Sequence, residues 1–342
     1  MTTGTPGAAT PKSSLSYVLI TPAKDEAAFI EKTLESVIAQ TLLPLKWVIV
    51  SDGSTDGTDA IVNRYAAQHE WIELLRMPER RERDFAGKAC AFHAGYARIE
   101  ALRYDVVGNL DADISVDPGY FAFLLQKFKS MPDLGVAGTP FVEEGFRYNY
   151  KFVNIDHVSG ACQLFRAECF RDIGGYRPIK GGGIDWVAVT TARMLGWRTR
   201  SFTEKACLHH RLTGTGKDGL FTARFKIGQK DYLLGGHPVW EIFRAVYQMT
   251  LRPFVMGGLC ILAGYLWASF NRYDRRISPE LMRFRRREQM QQLRRVLRRA
   301  LRRDSGEGED VARPCGQGDR MNGEPYPSAA RNHDETFTCL NL

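Results

Sequence analysis

The chain has 342 residues, 44% of them hydrophobic and 25% charged, which is enough for one large domain or two ordinary ones with a substantial core. This composition excludes an intrinsically disordered protein. The net charge of +8 comes from residues 271–303, which hold 13 Arg, no Lys and 3 acids, so the rest of the chain is nearly neutral and is not expected to bind nucleic acid.

The N-terminal residues 1–14 are rich in Thr, Gly, Ala and Pro and contain no apolar run. We predict a disordered N-terminus that is not a signal peptide, so the body of the protein is expected in the cytoplasm. The seven cysteines are scattered, odd in number and without a C-x-x-C motif. That pattern indicates reduced thiols rather than a disulfide framework or a zinc site.

Short apolar strands alternate with amphipathic helices in the first half of the chain. Predicted strands cover residues 16–20, 47–50, 72–75, 104–110 and 134–137, and a helical apolar pattern follows each of the first four. This alternation predicts right-handed βαβ units and an α/β protein with a mostly parallel sheet flanked by helices. Ligands of such sheets bind at the carboxyl ends of the strands.

The fourth strand ends in an Asp-x-Asp motif, Asp111-Ala112-Asp113. Residues i and i+2 of a strand point to the same side, so the two carboxylates can converge. Their repulsion is relieved when a cation sits between them, and hard oxygen ligands suit Mg²⁺ or Mn²⁺ bound to a diphosphate. Two acids that solvate a surface turn are the alternative.

Two further strand ends carry polar motifs, residues 21–26 and residues 51–58. Asp52 directly follows a buried strand and could accept a hydrogen bond from a uracil N3–H or a ribose hydroxyl. Lys88 opens a helix, where it could meet a phosphate together with the helix dipole. Ordinary turn chemistry and a solvated lysine are the alternatives.

The second half of the chain contains fewer regular patterns. A triple glycine, residues 181–183, precedes a helix with Asp185 in its first turn, and this acid is either an N-cap or a general base. Residues 198–202 form a predicted strand, followed by His209, His210 and Arg211. A Gly-rich loop, residues 212–219 with Lys217, is expected to close over the diphosphate; His210 is a candidate metal ligand, with a plain surface loop as the alternative.

The C-terminal part combines an apolar run with a basic helix. Residues 253–270 carry no charge and predict a re-entrant or marginal membrane segment, with a buried core helix as the alternative. Residues 281–303 predict an interfacial helix on an anionic membrane surface, with Met290, Leu293, Leu297 and Leu301 on one face. RNA binding is less favoured because aromatic residues are not interleaved. Residues 304–342 are predicted to be disordered.

Taken together, the motifs at residues 20–26, 50–58, 87–88, 109–113, 159–176 and 184–185 resemble glycosyltransferase family 2. The resemblance covers residues 16–211 and implies the GT-A nucleotide-sugar fold. It implies a metal site at Asp111 and Asp113, with His210 as a further candidate, and a catalytic base at Asp185. The implied donor-binding residues are Thr21, Pro22, Ala23, Asp25, Glu26, Asp52, Lys88, Asp111, Ala112 and Arg211. Two positions depart from the family pattern, Ile184 where Glu is common and His93 where Asn is usual.

The resemblance and the membrane features imply a metal-dependent, inverting enzyme on the cytoplasmic face of the inner membrane, peripheral or with a short inserted helix. It would use Mg²⁺ or Mn²⁺ to move one sugar from a nucleotide sugar, expected to be a sugar of uridine diphosphate, to a lipid-linked saccharide. The absence of a Gln-x-x-Arg-Trp motif favours a single addition over processive synthesis. A polyprenyl-phosphate acceptor, a nucleotidyltransferase and a non-catalytic assembly scaffold are the alternatives.

The predicted domain organisation has two folded parts. A catalytic domain spans residues 15–225, with a nucleotide-binding part at 15–117 and an acceptor part at 118–225. A membrane-associated helical region follows at 226–303.

Overall fold

The computed structural model describes residues 15–79, 85–143, 155–211, 219–251 and 253–304. The predicted disordered N-terminus at 1–14, the tail beyond residue 304 and the Gly-rich loop with Lys217 lie outside these residues.

A seven-stranded sheet forms the centre of the protein. Its strands are β1 (Tyr17–Ala23), β2 (Lys46–Ser51), β3 (Ile72–Arg76), β4 (Val106–Leu110), β6 (Leu134–Gly138), β8 (Cys162–Arg166) and β9 (Arg198–Ser201), in the order β3-β2-β1-β4-β8-β6-β9. All neighbours are parallel except at β8, which is antiparallel to β4 and β6. The predicted α/β architecture with a mostly parallel sheet is therefore confirmed.

The sequence pattern did not indicate β8, where a connection into a helix was expected. Gln163, a polar residue at its centre, is fully buried. Its side chain donates to the Val158 carbonyl at 2.7 Å and accepts from the Tyr176 hydroxyl at 2.6 Å. Only these tertiary partners make a polar residue acceptable in a central strand, because a buried amide without partners is costly.

Both faces of the sheet are covered by helices. The helices α1 (Ile30–Ile38), α2 (Thr58–Ala66) and α4 (Tyr120–Ser130) pack on one face, and α3 (Phe85–Ile99), α5 (Ala167–Asp172) and α6 (Ile184–Met194) pack on the other. Successive residues of β1 alternate between the two cores, with Leu19 in one and Ile20 in the other. Because both faces are apolar, polar functional groups are restricted to the strand ends.

A second, smaller sheet lies at the carboxyl end of β4. It consists of β5 (Ile114–Ser115), β7 (Phe141–Glu143) and β10 (Cys207–His209), in the order β5-β10-β7. The strand β10 pairs antiparallel with β5, with His209 opposite Ile114. This pairing brings residues 207–209 next to the Asp-x-Asp motif, although they lie about 95 residues further along the chain.

Four helices form a C-terminal bundle: α7 (Leu220–Leu233), α8 (Pro238–Met249), α9 (Met256–Phe270) and α10 (Pro279–Asp304). The helix α7 runs across the boundary predicted at residue 225. Glycines allow α9 to touch its neighbours through backbone: a Cβ on Gly258 would lie 2.2 Å from the Ala245 carbonyl oxygen, and one on Gly264 would lie 2.0 Å from that of Phe225.

The apolar run at 253–270 contains α9, which is 15 residues long. Its glycine face packs on α7 and α8, whereas Leu266, Trp267 and Phe270 on other faces are 56%, 54% and 91% exposed. Within the described ranges, no helix has the length and apolar character needed to cross a bilayer.

The basic helix α10, predicted as an interfacial helix, packs one face on the body of the protein. Leu281, Arg285, Gln289 and Leu293 recur every four residues and are buried. Glu288 forms an ion pair with Arg193 of α6, with Oε1 2.8 Å from Nε. The predicted lipid-facing residue Leu293 therefore faces protein, while Leu297 is 49% exposed and the side chain of Leu301 lies outside the described part.

Candidate functional site

Hydrogen bonds tie the loops after β1 and β2 together. Asp25 has a left-handed backbone with φ of 54°, and its Oδ1 accepts from the Thr55 N–H at 2.9 Å. The Glu26 N–H donates to Thr58 Oγ1 at 2.8 Å. Since β1 and β2 are parallel neighbours, these bonds fix their two carboxyl ends as one rim.

A cavity of about 390 Å³ lies at this rim. Eight of the predicted site residues line it: Pro22, Ala23, Glu26, Asp52, Lys88, Asp111, Ala112 and Asp113. Three of the predicted donor-binding residues, Thr21, Asp25 and Arg211, do not line it, and their role in donor binding stays a prediction. Thr21 is fully buried, and its hydroxyl accepts a hydrogen bond from Trp47 Nε1 at 2.9 Å. The Asp25 carboxylate accepts from the Thr55 N–H. The sequence also did not indicate Lys24, which lines the cavity.

Asp111 is paired with Lys88 inside the site. Lys88 Nζ lies 2.5 Å from Asp111 Oδ1, and Asn109 Nδ2 donates to the same oxygen at 3.1 Å. Burial raises the pKa of Asp111 and the neighbouring Asp113 charge raises it further, which outweighs the lowering by Lys88.

Asp113 lies among cations. Arg211 Nε donates to Asp113 Oδ2 at 3.1 Å, and His209 Nε2 lies 3.4 Å from that oxygen. Burial alone would raise the pKa of Asp113, but His209 and Arg211 outweigh burial and lower it. Arg211 also pairs with Glu26, so one guanidinium joins the loop after β1 to the Asp-x-Asp motif. The environments push the pKa values of the two aspartates apart, as expected for interacting carboxylates.

His210, the predicted further metal ligand, does not turn its side chain to the Asp113 carboxylate, and its role as a ligand stays a prediction. His210 Nε2 instead lies 2.9 Å from Ser115 Oγ, and its ring stacks on Phe29. Its backbone N–H donates to the Asp113 carbonyl, and the preceding residue His209 turns its ring to the Asp113 carboxylate. Adjacent residues of an extended segment point to opposite sides, so the register of β10 decides which histidine enters the site.

The carboxylates of Asp111 and Asp113 have the ligand chemistry that a divalent cation requires. Asp113 already attracts Arg211 and His209, which shows that positive charge is stabilised at this position. Among all the residues that the structure describes, no group of three or more His, Cys, Asp or Glu side chains is arranged to bind a metal ion.

A second cavity of about 260 Å³ adjoins the first and shares Lys88 and Asp111 with it. Asp185 lines this second cavity from the first turn of α6. The N-cap position is Gly183, with φ of 92°, so Asp185 is not the helix cap. A Cβ on Gly160 would lie 2.9 Å from Asp185 Cβ, so the glycine leaves room for the carboxylate.

Positive charge surrounds Asp185. Burial would raise its pKa, but His157, Lys230 and Lys88 outweigh burial and lower it. Burial lowers the pKa of His157 to about 4, so this imidazole is neutral at neutral pH and the two lysines supply the charge there. Asp185 is therefore an ionised carboxylate that can accept a proton, and it lies in the cavity next to the one at the β1 and β2 strand ends.

Three residues of the site were not indicated by the sequence. The first is His209, which the sequence placed only before the Gly-rich loop. The second is Glu143, whose Oε1 lies 3.4 Å from His209 Nδ1, and the third is Lys230, which lines the second cavity from α7. None belongs to a local motif, and only strand pairing and helix packing bring them to Asp113 and Asp185. His93, which departs from the family pattern, binds the Tyr176 carbonyl through Nε2 at 2.5 Å and lines neither cavity.

Residues 18–158 match the family model described as glycosyl transferase family 2. Over 136 residues the chain is 31% identical to a poly-β-1,6-N-acetyl-D-glucosamine synthase of Staphylococcus aureus, which covers 40% of this chain and 31% of that relative. A synthase of the same name from Staphylococcus epidermidis is 25% identical over 174 residues, 44% of this chain and 39% of the relative. The chain thus matches about a third of the length of these relatives.

A solved mannosyltransferase from Pyrobaculum calidifontis, in complex with GDP-Man and Mn²⁺, superimposes with a TM-score of 0.51. It covers 80% of this chain and 79% of its own, with 21% sequence identity, so the similarity is one of fold. The predicted GT-A fold class is confirmed.

Proposed function

We propose that the chain is a glycosyltransferase that moves a single sugar from a nucleotide sugar to a lipid-linked saccharide; the support is the family 2 model that matches residues 18–158, the similarity to the staphylococcal synthases and the GT-A fold. The donor in this proposal is a sugar of uridine diphosphate, and the anomeric carbon is inverted. The pathway is cell-surface or exopolysaccharide biosynthesis, in line with the names of the staphylococcal relatives.

One observation carries the proposal: two cavities meet at Lys88 and Asp111. The first holds Asp52 and the Asp-x-Asp motif, groups suited to a nucleotide diphosphate. The second holds Asp185, a candidate base. A donor and an acceptor bound in adjacent cavities would have their reacting atoms close to each other, which supplies much of the rate enhancement in group transfer.

In the proposed reaction, Asp185 accepts the proton of an acceptor hydroxyl while the oxygen of that hydroxyl bonds to the anomeric carbon. The bond from that carbon to the diphosphate breaks, and the nucleoside diphosphate leaves on the opposite side. Lys88 and Arg211 stand beside Asp111 and Asp113, so they are in position to bind the departing phosphates.

Asp111 and Asp113 are the residues that would hold Mg²⁺ or Mn²⁺. When bound, the ion would neutralise charge on the leaving diphosphate.

The donor proposal is tested by thermal unfolding with a panel of nucleotide sugars, with Mn²⁺ or with a chelator. A true donor at a concentration of about 100 times its Kd stabilises the protein by about 3 kcal/mol, and we expect a rise in Tm of about 5 °C or more. Asp113→Ala should remove the part of the Tm rise that depends on Mn²⁺, and it should also abolish the slow hydrolysis of the donor.

Asp117→Ala is the matched control, because this acid follows the same motif but is exposed and pairs with Lys205. It should leave donor stabilisation unchanged. If no nucleotide sugar stabilises the protein, or if Asp113→Ala hydrolyses the donor as well as wild type, the chain is better described as a non-catalytic scaffold.

We also propose peripheral binding to the cytoplasmic face of the inner membrane through the C-terminal bundle. The support is that the same bundle exposes Trp267 and Phe270 on α9 and contains the arginine-rich helix α10, features suited to anionic lipid. In vesicle flotation, phosphatidylglycerol vesicles should bind the protein more tightly than phosphatidylcholine vesicles. The double change Trp267→Ser and Phe270→Ser should weaken vesicle binding about tenfold. The control is Leu45→Ser, which removes an exposed apolar side chain just before β2 and should leave vesicle binding unchanged. Equal binding of the double variant would rule this surface out.

A further inference from the structure

Lys230 lines the second cavity although it lies outside the family match and outside the motifs found in the sequence. A Cβ on Gly183 would lie 3.2 Å from Lys230 Cε, so the lysine stem packs against the glycine before Asp185. The residue is exposed, and within the described part of the chain its ammonium forms no hydrogen bond or closed ion pair. Its charge acts on Asp185 from a distance.

The packing of α7 fixes the direction of Lys230. A Cβ on Gly228 would lie 1.9 Å from the Ile261 carbonyl oxygen, so this side of α7 contacts the α9 backbone. Lys230 follows two residues later, about 200° further around the helix, and so faces away from α9 towards the catalytic domain. Its position in the cavity therefore results from a rigid helix crossing.

The other cations of this cavity already have partners. Lys88 is paired with Asp111, and His209 lies between Asp113 and Glu143. Lys230 is thus the cation in the described part of this cavity that is available to a ligand. A lysine that served only Asp185 would form a direct pair with it; within the described part of the chain, Lys230 acts on Asp185 through its charge and lines the same cavity without such a pair.

We propose that Lys230 binds a phosphate or carboxylate group of the acceptor and thereby holds a neighbouring acceptor hydroxyl at Asp185. The proposal rests on the proposed function and specifies its acceptor as an anionic one. A single charge-assisted hydrogen bond that remains partly solvated favours an anionic over a neutral ligand by about tenfold.

The test measures binding of three probes by titration calorimetry, with the donor cavity filled by the nucleoside diphosphate that stabilises the protein most. The probes are octyl β-glucoside, its 6-phosphate and octyl β-glucuronide. Wild type should bind at least one anionic probe about tenfold more tightly than the neutral probe. The anionic probe that is preferred identifies the group as phosphate or carboxylate.

Lys230→Ala should bring the preferred anionic probe to the affinity of the neutral one and leave the neutral one unchanged. Lys230→Arg should keep the preference, because the charge remains. Lys32→Ala, which removes an exposed positive charge on α1, is the control and should behave as wild type. The inference is overturned if wild type has no anionic preference, if Lys230→Ala keeps it, or if Lys230→Ala weakens all three probes equally.

Donor binding separates this test from that of the proposed function. Wild type and Lys230→Ala should be stabilised equally by the nucleotide sugar with Mn²⁺. If the donor stabilises both variants and the anionic preference is absent, only the acceptor inference fails. If no donor stabilises either variant, the proposed function fails first.

Discussion

Asp185→Asn is expected to lower kcat for sugar transfer about a thousandfold while leaving donor binding unchanged. The amide keeps the size of the side chain but cannot accept the hydroxyl proton, and a general base contributes about 10²–10⁴-fold. Product formation under saturating donor, with the Tm shift by the donor as the binding measurement, gives both values. Asp133→Asn, which neutralises an exposed acid away from both cavities, should retain full activity.

The pH dependence of kcat provides an independent check of the same residue. Transfer requires ionised Asp185, so activity falls as pH drops through the pKa of this carboxyl. Because His157, Lys230 and Lys88 lower that pKa despite burial, the acid limb should lie below the range of an ordinary aspartate. Lys230→Ala removes one of these charges and should move the limb to higher pH.

A variant Asp185→Asn with nearly normal turnover would indicate a different acceptor. An attacking phosphate is already an anion and needs no base, as in a polyprenyl-phosphate acceptor. Such an acceptor would still need Lys230, whereas a hydroxyl acceptor with a neighbouring anion needs both residues. The two variants together therefore distinguish the acceptor classes.

Gly264→Ala is expected to destabilise the protein by about 3 kcal/mol, at the upper end for an overpacked site. The new Cβ would lie 2.0 Å from the Phe225 carbonyl oxygen and 3.2 Å from the Gln229 nitrogen. Both atoms belong to the α7 backbone, which cannot move aside as a flexible side chain could, so the two helices must separate. Urea unfolding followed by circular dichroism measures the loss in the free energy of unfolding.

Gly257→Ala is the matched control in the same helix. Its Cβ would meet Pro253 Cδ at 3.6 Å, an ordinary contact, and alanine is the better helix former by about 1 kcal/mol. We therefore expect unchanged or slightly higher stability. Equal stabilities of the two variants would show that α7 and α9 do not touch at Gly264. Since α7 carries Lys230, Gly264→Ala should also reduce anionic-probe binding.

The strand ends could be predicted because their signals are local. Short continuous apolar runs identify β1, β2 and β4, and a parallel sheet brings their carboxyl ends together. Asp52, Asp111 and Asp113 therefore line one cavity as expected. The exceptions also have local explanations: Thr21 points into the core to meet Trp47, and Asp25 is occupied by the neighbouring loop.

The sequence by itself determined the parallel α/β sheet and the acids at its rim, because hydrophobic period and turn chemistry act within a few residues. Only the tertiary structure decided which groups meet these acids. His209, and not His210, faces Asp113 because of the register of β10, and Lys230 reaches the cavity of Asp185 because glycines let α7 rest on α9. Side-chain direction at such distances along the chain depends on pairing and packing, which no local pattern contains.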